Sequence, residues 1–419
     1  MQTGFRHIAT AATLALLTGL TGCGITHGVS HQLLGMDATT TPGTTRTVFG
    51  YAVADEPQAA ITGRQILNQG GNAADAAAAE GFAQAVTLPS RGGLGGGGAC
   101  LIKMPDASGQ MQPPVALLFP AGSPGAASGD RPAAVPTLAR GLLALQARYG
   151  ELPSASVIVP AERLAASAEL SPALESDLQT VGQAFIADPA AAAIFAPGGT
   201  LLPANATLAQ PDLAATLEVL RTQGVQGFYA GSFARSFVTA ANAAGGGLTA
   251  ADLAAAAPQF AAPVAGSTAG YATASLPITT PAFETLPASA GFMALDKNGG
   301  SVICVTSMNN LFGTGRIAAG TGILLAASPH SNPTPDLAAS IAYSPGSLAF
   351  RAATTGTGQE EAGQAARIAL ADALTNSHTP IPEPGRANVI SCPGTVPGGE
   401  ASCTATADPR GQGLAIGGR

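Results

Sequence analysis

Short unbroken apolar runs, each closed by a turn rich in glycine or asparagine, mark strands in this chain. Longer alanine- and leucine-rich stretches, opened by proline and stopped by glycine, mark helices. Strand-like runs fall at residues 99–102, 291–295, 302–307 and 322–325. A helix is predicted from Pro57, with proline in its first turn and Asp55 and Glu56 near its positive end, to a stop at Gly70-Gly71. A second, from Ala73 to about Ala85, is alanine-rich and suited to close packing. Residues 137–255 read as mostly helical. One helix follows Pro136 and ends at Tyr149-Gly150, another starts around Pro160, and a third runs from Pro211 to Gly224. Thr249 with Asp252 three residues on resembles a capping box. Residues 260–288, rich in Pro, Thr, Ala and Ser, show no clear period, and no element is predicted there. A helix at about 360–374 precedes a Gly/Pro-rich loop holding Cys392 and Cys403.

Composition narrows the class. Hydrophobic residues make up 46% and charged residues 10%, but alanine supplies much of the apolar count. No apolar stretch after the N-terminus is long enough to span a bilayer, so a globular core packed with small residues is expected. The net charge is −7, and Lys103 and Lys297 are the only lysines. Nucleic-acid binding, which needs a basic stripe, is excluded as a function. The glycines at 93, 95 and 98 formally match a dinucleotide fingerprint. That motif needs a strand before it and a helix after it, and here the order is reversed.

The N-terminus reads as a targeting segment. Arg6 and His7 precede an apolar run over residues 8–20, which ends in Leu20-Thr21-Gly22-Cys23. This ending resembles a bacterial lipobox and implies cleavage before Cys23 and lipidation of its thiol. The alternative is a plain secretion signal with an incidental cysteine. Gly24 in place of an acidic residue implies the periplasmic side of the envelope, at the outer membrane, with the lipid on Cys23 holding a membrane surface. Residues 24–47 form a polar linker that carries His27 and His31. In an exported protein, a Cys392–Cys403 disulfide is expected. Cys100 and Cys304, each in an apolar run, are expected as buried free thiols. No Cys or His cluster has metal-site spacing, and neither a metal nor a cofactor is expected.

Several ordered motifs carry a resemblance to a known family. They include Ile66-Leu67-Asn68-Gln69-Gly70-Gly71-Asn72-Ala73-Ala74-Asp75-Ala76-Ala77, leading to Leu94-Gly95-Gly96-Gly97-Gly98. Arg148-Tyr149-Gly150-Glu151-Leu152-Pro153, Asn309-Asn310-Leu311-Phe312-Gly313-Thr314-Gly315 and Ala407-Asp408-Pro409-Arg410 follow in order. Together they resemble the gamma-glutamyltransferase family of N-terminal nucleophile hydrolases, from about Val53 to Arg410. The resemblance implies a mixed α/β (α+β) fold, a four-layer α/β/β/α sandwich. The family resemblance also implies a mostly helical large-subunit-like part at 49–288 and a small-subunit-like part at 289–419, behind the signal peptide at 1–22 and the lipidated tether at 23–48 that the lipobox resemblance implies.

Residue by residue, Ser289 falls on the family's threonine nucleophile, Ser307 on the threonine that supports it, and Asn309 on a substrate-contacting asparagine. Gly356 and Gly358 lie near the glycine pair that supplies oxyanion donors. Chain scission before Ser289 would give one residue a hydroxyl and a free α-amine. The implied partners are a small-molecule amide substrate and the two fragments of the chain as a heterodimer. Thr285 is a weaker candidate for the cut, because its spacing to Asp296 is wrong. The chain also departs from the family. Pro120 stands where an arginine grips the substrate carboxylate, and Ser331 where an aspartate holds the α-amine. Ala338 and Ala339 replace paired serines, Ala290 and Gly291 follow the nucleophile, and the segment between Leu253 and Ser289 is shortened. Two readings follow: an amide hydrolase or acyltransferase that cuts itself, or an uncleaved, inactive lipoprotein that keeps the fold as a binding module.

Overall fold

A computed structural model describes residues 49–418 except Ala127, 278–285, Pro287 and 333–335. The lipobox-like segment with Cys23, the two linker histidines and Thr285 lie outside the described residues. Strands β1 (Gly50–Ala54), β2 (Gly97–Lys103), β3 (Val115–Phe119) and β4 (Gln259–Ala261) are followed by β5 (Val264–Thr268) and β6 (Tyr271–Ser275). Then come β7 (Ser289–Asp296), β8 (Ser301–Ser307), β9 (Ala338–Tyr343), β10 (Phe350–Thr357), β11 (Arg386–Val396), β12 (Thr404–Thr406) and β13 (Leu414–Gly418). They build two antiparallel sheets, one ordered β13-β1-β7-β8-β2-β3-β4 and the other β12-β11-β10-β9-β6-β5.

Strict alternation along β7 and β8 explains the layering. Met293, Leu295, Ile303 and Val305 pack between the sheets against Ile341, Phe350 and Ile390. Phe292, Ala294, Val302 and Cys304 point the other way, into a core with Ile66, Phe82 and Leu142. Successive strand side chains take opposite faces, so a one-residue slip would empty both cores. Helices α1 (Pro57–Asn68), α2 (Ala73–Thr87) and α4 (Leu138–Tyr149) supply the outer layer on the first sheet, with the single turn α3 (Pro89–Gly92) between them. On the far face of the second sheet, Ala362, Ala366 and Leu370 of α9 (Ala362–Thr375) pack against Ala338, Ala342 and Ala352. The result is a four-layer α/β/β/α sandwich with β7 near the centre of its sheet.

Most predicted elements stand where expected. Asn72 caps α2 in a reciprocal box with Asp75, and Thr249 caps α8 (Ala250–Ala255) in the same way with Asp252. Others differ. The helix expected near Pro160 is α5 (Ser154–Ala166), which starts behind Pro153 and carries Pro160 inside at the loss of one ladder bond. Helix α6 (Pro172–Phe185) precedes α7 (Pro211–Tyr229), in which Gly224 (φ 63°) kinks the chain and the helix resumes. Residues 259–275 are not irregular but form β4, β5 and β6. Both β4 and β5 are edge strands with largely exposed side chains, so they carry no apolar alternation. The Gly/Pro-rich cysteine region is the long strand β11, and the β10 register shifts opposite Pro393-Gly394, where a ladder bond is lost.

Cys392 and Cys403 form a disulfide. Cys100 and Cys304 are not free thiols. They face each other in the β2–β8 register with Cα atoms 4.0 Å apart and are joined by a disulfide. Their separation of 204 residues leaves no local trace of the pairing.

Candidate active site

Ser289 is the first residue of β7 and lies opposite Ser307, the last of β8. It is 2% exposed, and no described residue hydrogen-bonds to its hydroxyl. The carbonyl just before it is held firmly. Ser307 Oγ–H donates to the Ala288 oxygen at 2.8 Å, and the Met308 N–H donates to the same oxygen at 3.2 Å. The Asn309 N–H donates to Ser307 Oγ at 2.8 Å, which turns that hydroxyl proton toward Ala288. Asn309 reaches this pose through a left-handed backbone (φ 59°), and its Nδ2 donates to the Ala327 carbonyl at 2.9 Å. Its Oδ1 is buried with no partner among the described residues.

This arrangement suits one kind of chemistry. Attack on the Ala288 carbonyl carbon places negative charge on the oxygen that already receives two donors. Prearranged donors at a developing oxyanion are the largest single source of catalysis in acyl transfer. The attacking group need travel only within one residue, since the Ser289 hydroxyl and the Ala288 carbonyl share a peptide link.

The second sheet closes the site from its other side. Gly291, two residues into β7, meets Thr355 of β10, and a Cβ on Gly291 would come within 2.6 Å of Thr355 Oγ1. That hydroxyl is buried and has no partner among the described residues. At the far end of β7, the turn at Gly299 abuts Val396, which pairs with Phe350 at the start of β10. Ser289 therefore lies at the Gly356–Gly358 end of the second sheet. Both glycines have packing reasons as well: a Cβ on Gly356 would run into the Ala362 carbonyl, and one on Gly358 (φ 103°) into that of Pro384.

On the helix side, Thr306 Oγ–H donates to the Ala290 carbonyl at 3.3 Å and accepts from Gln84 Nε2 at 3.2 Å. Arg91 of α3 forks onto Asp177 at 2.8 and 2.6 Å, and Ser90 Oγ–H adds a third donor to that carboxylate at 2.6 Å. Burial pushes the Glu56 carboxyl up to about 7, against hydrogen bonds from Thr87 and Ala59. Burial likewise raises Asp55, although the Gly291 N–H and the Asn388 amide both donate to it.

The structure brings Ser289, Ser307 and Asn309 together. The positions expected to hold charge on a substrate carry none. Pro120 is exposed, and its carbonyl accepts from Thr137. Ser331 is exposed and donates to the Ser328 carbonyl. Ala338 and Ala339 are buried opposite Gly356 and Thr355. Sequence reasoning missed Met308 as a donor, Thr355 as the cover over Gly291, and Asp55 as a partner of β7. A signal for the second existed, because a glycine inside an apolar strand marks a close approach by a neighbour.

The sequence profile of gamma-glutamyltranspeptidase matches residues 59–286, ending three residues before Ser289. The chain is similar to the glutathione hydrolase proenzyme of Escherichia coli (strain K12), 32% identical over 243 residues that cover 54% of this chain and 42% of that protein. It is also similar to the acylase ACY 1 proenzyme of Pseudomonas sp. (strain V22), 32% identical over 247 residues, covering 53% and 43%. The chain thus spans less than half the length of these relatives. Among solved structures, cephalosporin acylase from Bacillus halodurans superposes with a TM-score of 0.70 over 91% of this chain and 98% of that one. At 16% identity this likeness shows the fold.

Proposed function

The chain belongs to the gamma-glutamyltranspeptidase family, and we propose that it is an N-terminal nucleophile hydrolase that cuts itself before Ser289 and then cleaves small-molecule amides. The observation that carries this reading is the Ala288 carbonyl, held by Ser307 Oγ–H and the Met308 N–H at the head of a central strand. The Ser289 hydroxyl attacks the Ala288 carbon, its proton passes to the departing nitrogen, and the Ala288–Ser289 peptide bond becomes an ester. That shift already frees the α-amine; water then hydrolyses the ester, leaving a carboxylate on Ala288 and returning the hydroxyl to Ser289. An α-amine titrates at about 7.7–8.0, so at pH 7 far more of it is neutral than of a lysine, and that form can take the proton of its own hydroxyl. In turnover, that hydroxyl accepts the acyl group of an amide, the amine product leaves, and water or a second amine releases the acyl group.

Pro120, Ser331, Ala338 and Ala339 supply no charged clamp. Bidentate charged hydrogen bonds are the strong ones, so a free γ-glutamyl group loses its main means of recognition here. The substrates proposed are therefore γ-glutamyl or related amides whose acyl part is held mainly by shape and neutral hydrogen bonds. The lipobox resemblance adds a lipid on Cys23 and a place on the periplasmic side of the envelope. These same uncharged positions favour a second reading, an uncleaved binding lipoprotein. Denaturing gels and mass spectrometry of purified protein separate the two. Two fragments, the smaller beginning at Ser289, are expected for the wild type, and a single band for Ser289→Ala. An intact wild-type chain after long incubation, in folded protein, leaves only the binding reading.

A further inference from the structure

Strand β1 ends at Ala54, opposite Phe292 and three residues short of Ser289, because Glu56 caps α1 and Pro57 turns the chain into that helix. The next residue completes the sheet by other means. The Asp55 N–H donates to the Gly291 carbonyl at 3.0 Å, and the Gly291 N–H donates to Asp55 Oδ2 at 2.7 Å. A carboxylate thus stands where the next backbone carbonyl of β1 would have been. Its other oxygen accepts from Asn388 Nδ2 at 2.8 Å, across the gap to β11. Asn388 Oδ1 accepts the Asp408 N–H at 3.0 Å, and the Asp408 carboxylate accepts from Arg410 and the Ala387 N–H. Asp55 and Asn388 are 5% and 2% exposed.

Beyond Gly291, the residues toward Ser289 pair with β8 alone, through Thr306 and Ser307. Backbone groups two residues apart in a strand face the same neighbour. The Ser289 nitrogen therefore points to the flank where β1 has already ended. In an uncut chain Ala288, through its carbonyl bonds to Ser307 and Met308, helps to hold it. In a cut chain the nitrogen becomes a free terminus with no strand partner beyond Asp55 on that flank among the described residues, and strand ends without partners fray.

We propose that Asp55 is the positioning residue of the nucleophile, a side-chain clamp that holds the cut end of β7 and ties it through Asn388 to the second sheet. The inference rests on the reading of Ser289 as the nucleophile. Two variants of the full-length chain test it. Asp55→Asn keeps the shape but sets an amide N–H₂ against that of Asn388. Asp55→Asn with Asn388→Asp restores the donor and acceptor order. Self-cleavage and kcat are expected to fall about 10- to 100-fold in the single variant, with KM little changed, because a displacement of about 1 Å is enough for such losses. Both should recover to within a few-fold in the double variant. Hydrogen exchange gives a readout independent of activity. Peptides covering residues 288–292 should lose protection in Asp55→Asn and regain it in the double variant, while β8 peptides stay protected. Unchanged exchange at 288–292 in Asp55→Asn, or loss spread evenly over both sheets with no rescue, overturns the clamp. If the wild type never cuts itself, the exchange result still decides the clamp, and only the enzymatic reading fails.

Discussion

Ser307→Ala removes one of the two donors on the Ala288 oxygen and leaves the longer bond, from the Met308 N–H at 3.2 Å, in place. Loss of one oxyanion donor in acyl transfer costs about 3–4 kcal/mol, or roughly 10²- to 10³-fold in rate. The same change leaves the buried Asn309 N–H without its acceptor, a cost of about 1–3 kcal/mol in stability. The two effects separate in the measurements. Stability is read as a small fall in Tm, cleavage as a first-order rate from the fraction of intact chain over time. Self-cleavage should slow by roughly two to three orders of magnitude while the variant stays folded at the assay temperature. Ser307→Thr, which keeps a hydroxyl at the position, should recover most of the rate. Cleavage of Ser307→Ala at the wild-type rate would show that the Ala288 carbonyl is not the oxygen activated in the reaction, whatever its hydrogen bonds.

Two further outcomes concern stability. Lys103 is fully buried in β2, its Nζ has no partner among the described residues, and burial pushes it down to about 7 despite the attraction of Asp296. The unfolded chain binds this proton at any pH below the ordinary lysine value, so folding stability is lost as pH falls from about 10 toward 7. Lys103→Met should therefore raise stability by roughly 4 kcal/mol at pH 7 but only about 2 at pH 9, at about 1.4 kcal/mol per unit. Chemical denaturation at the two pH values checks it, and an equal gain at both contradicts the buried amine. Gly291→Ala should destabilise the chain by about 1–3 kcal/mol and slow self-cleavage, since its methyl would press on Thr355 Oγ1 at 2.6 Å. Adding Thr355→Ala should restore both, and a melting curve with a cleavage time course on the double variant reads this directly.

Much of the molecule is legible along the chain because it is encoded locally. The Asn72–Asp75 and Thr249–Asp252 boxes, the proline openings and the apolar run after Ser289 each act within a few residues, so residue order suffices to read them. The motifs around Gly70-Gly71 and Leu94–Gly98 carry the family, and with it the layered fold. Other features have no local signal. Edge strands β4 and β5 bury little, so hydrophobic alternation never marked them. Cys100 meets Cys304, Thr355 covers Gly291, Asp55 finishes the β7 ladder, and Ser307 turns its proton to Ala288 only because the strand registers bring these pairs face to face. Sequence determined which residues could form helices, strands and a nucleophile. Tertiary packing decided which partners each meets, since register depends on the burial of whole faces and not on any one residue's neighbours in the chain.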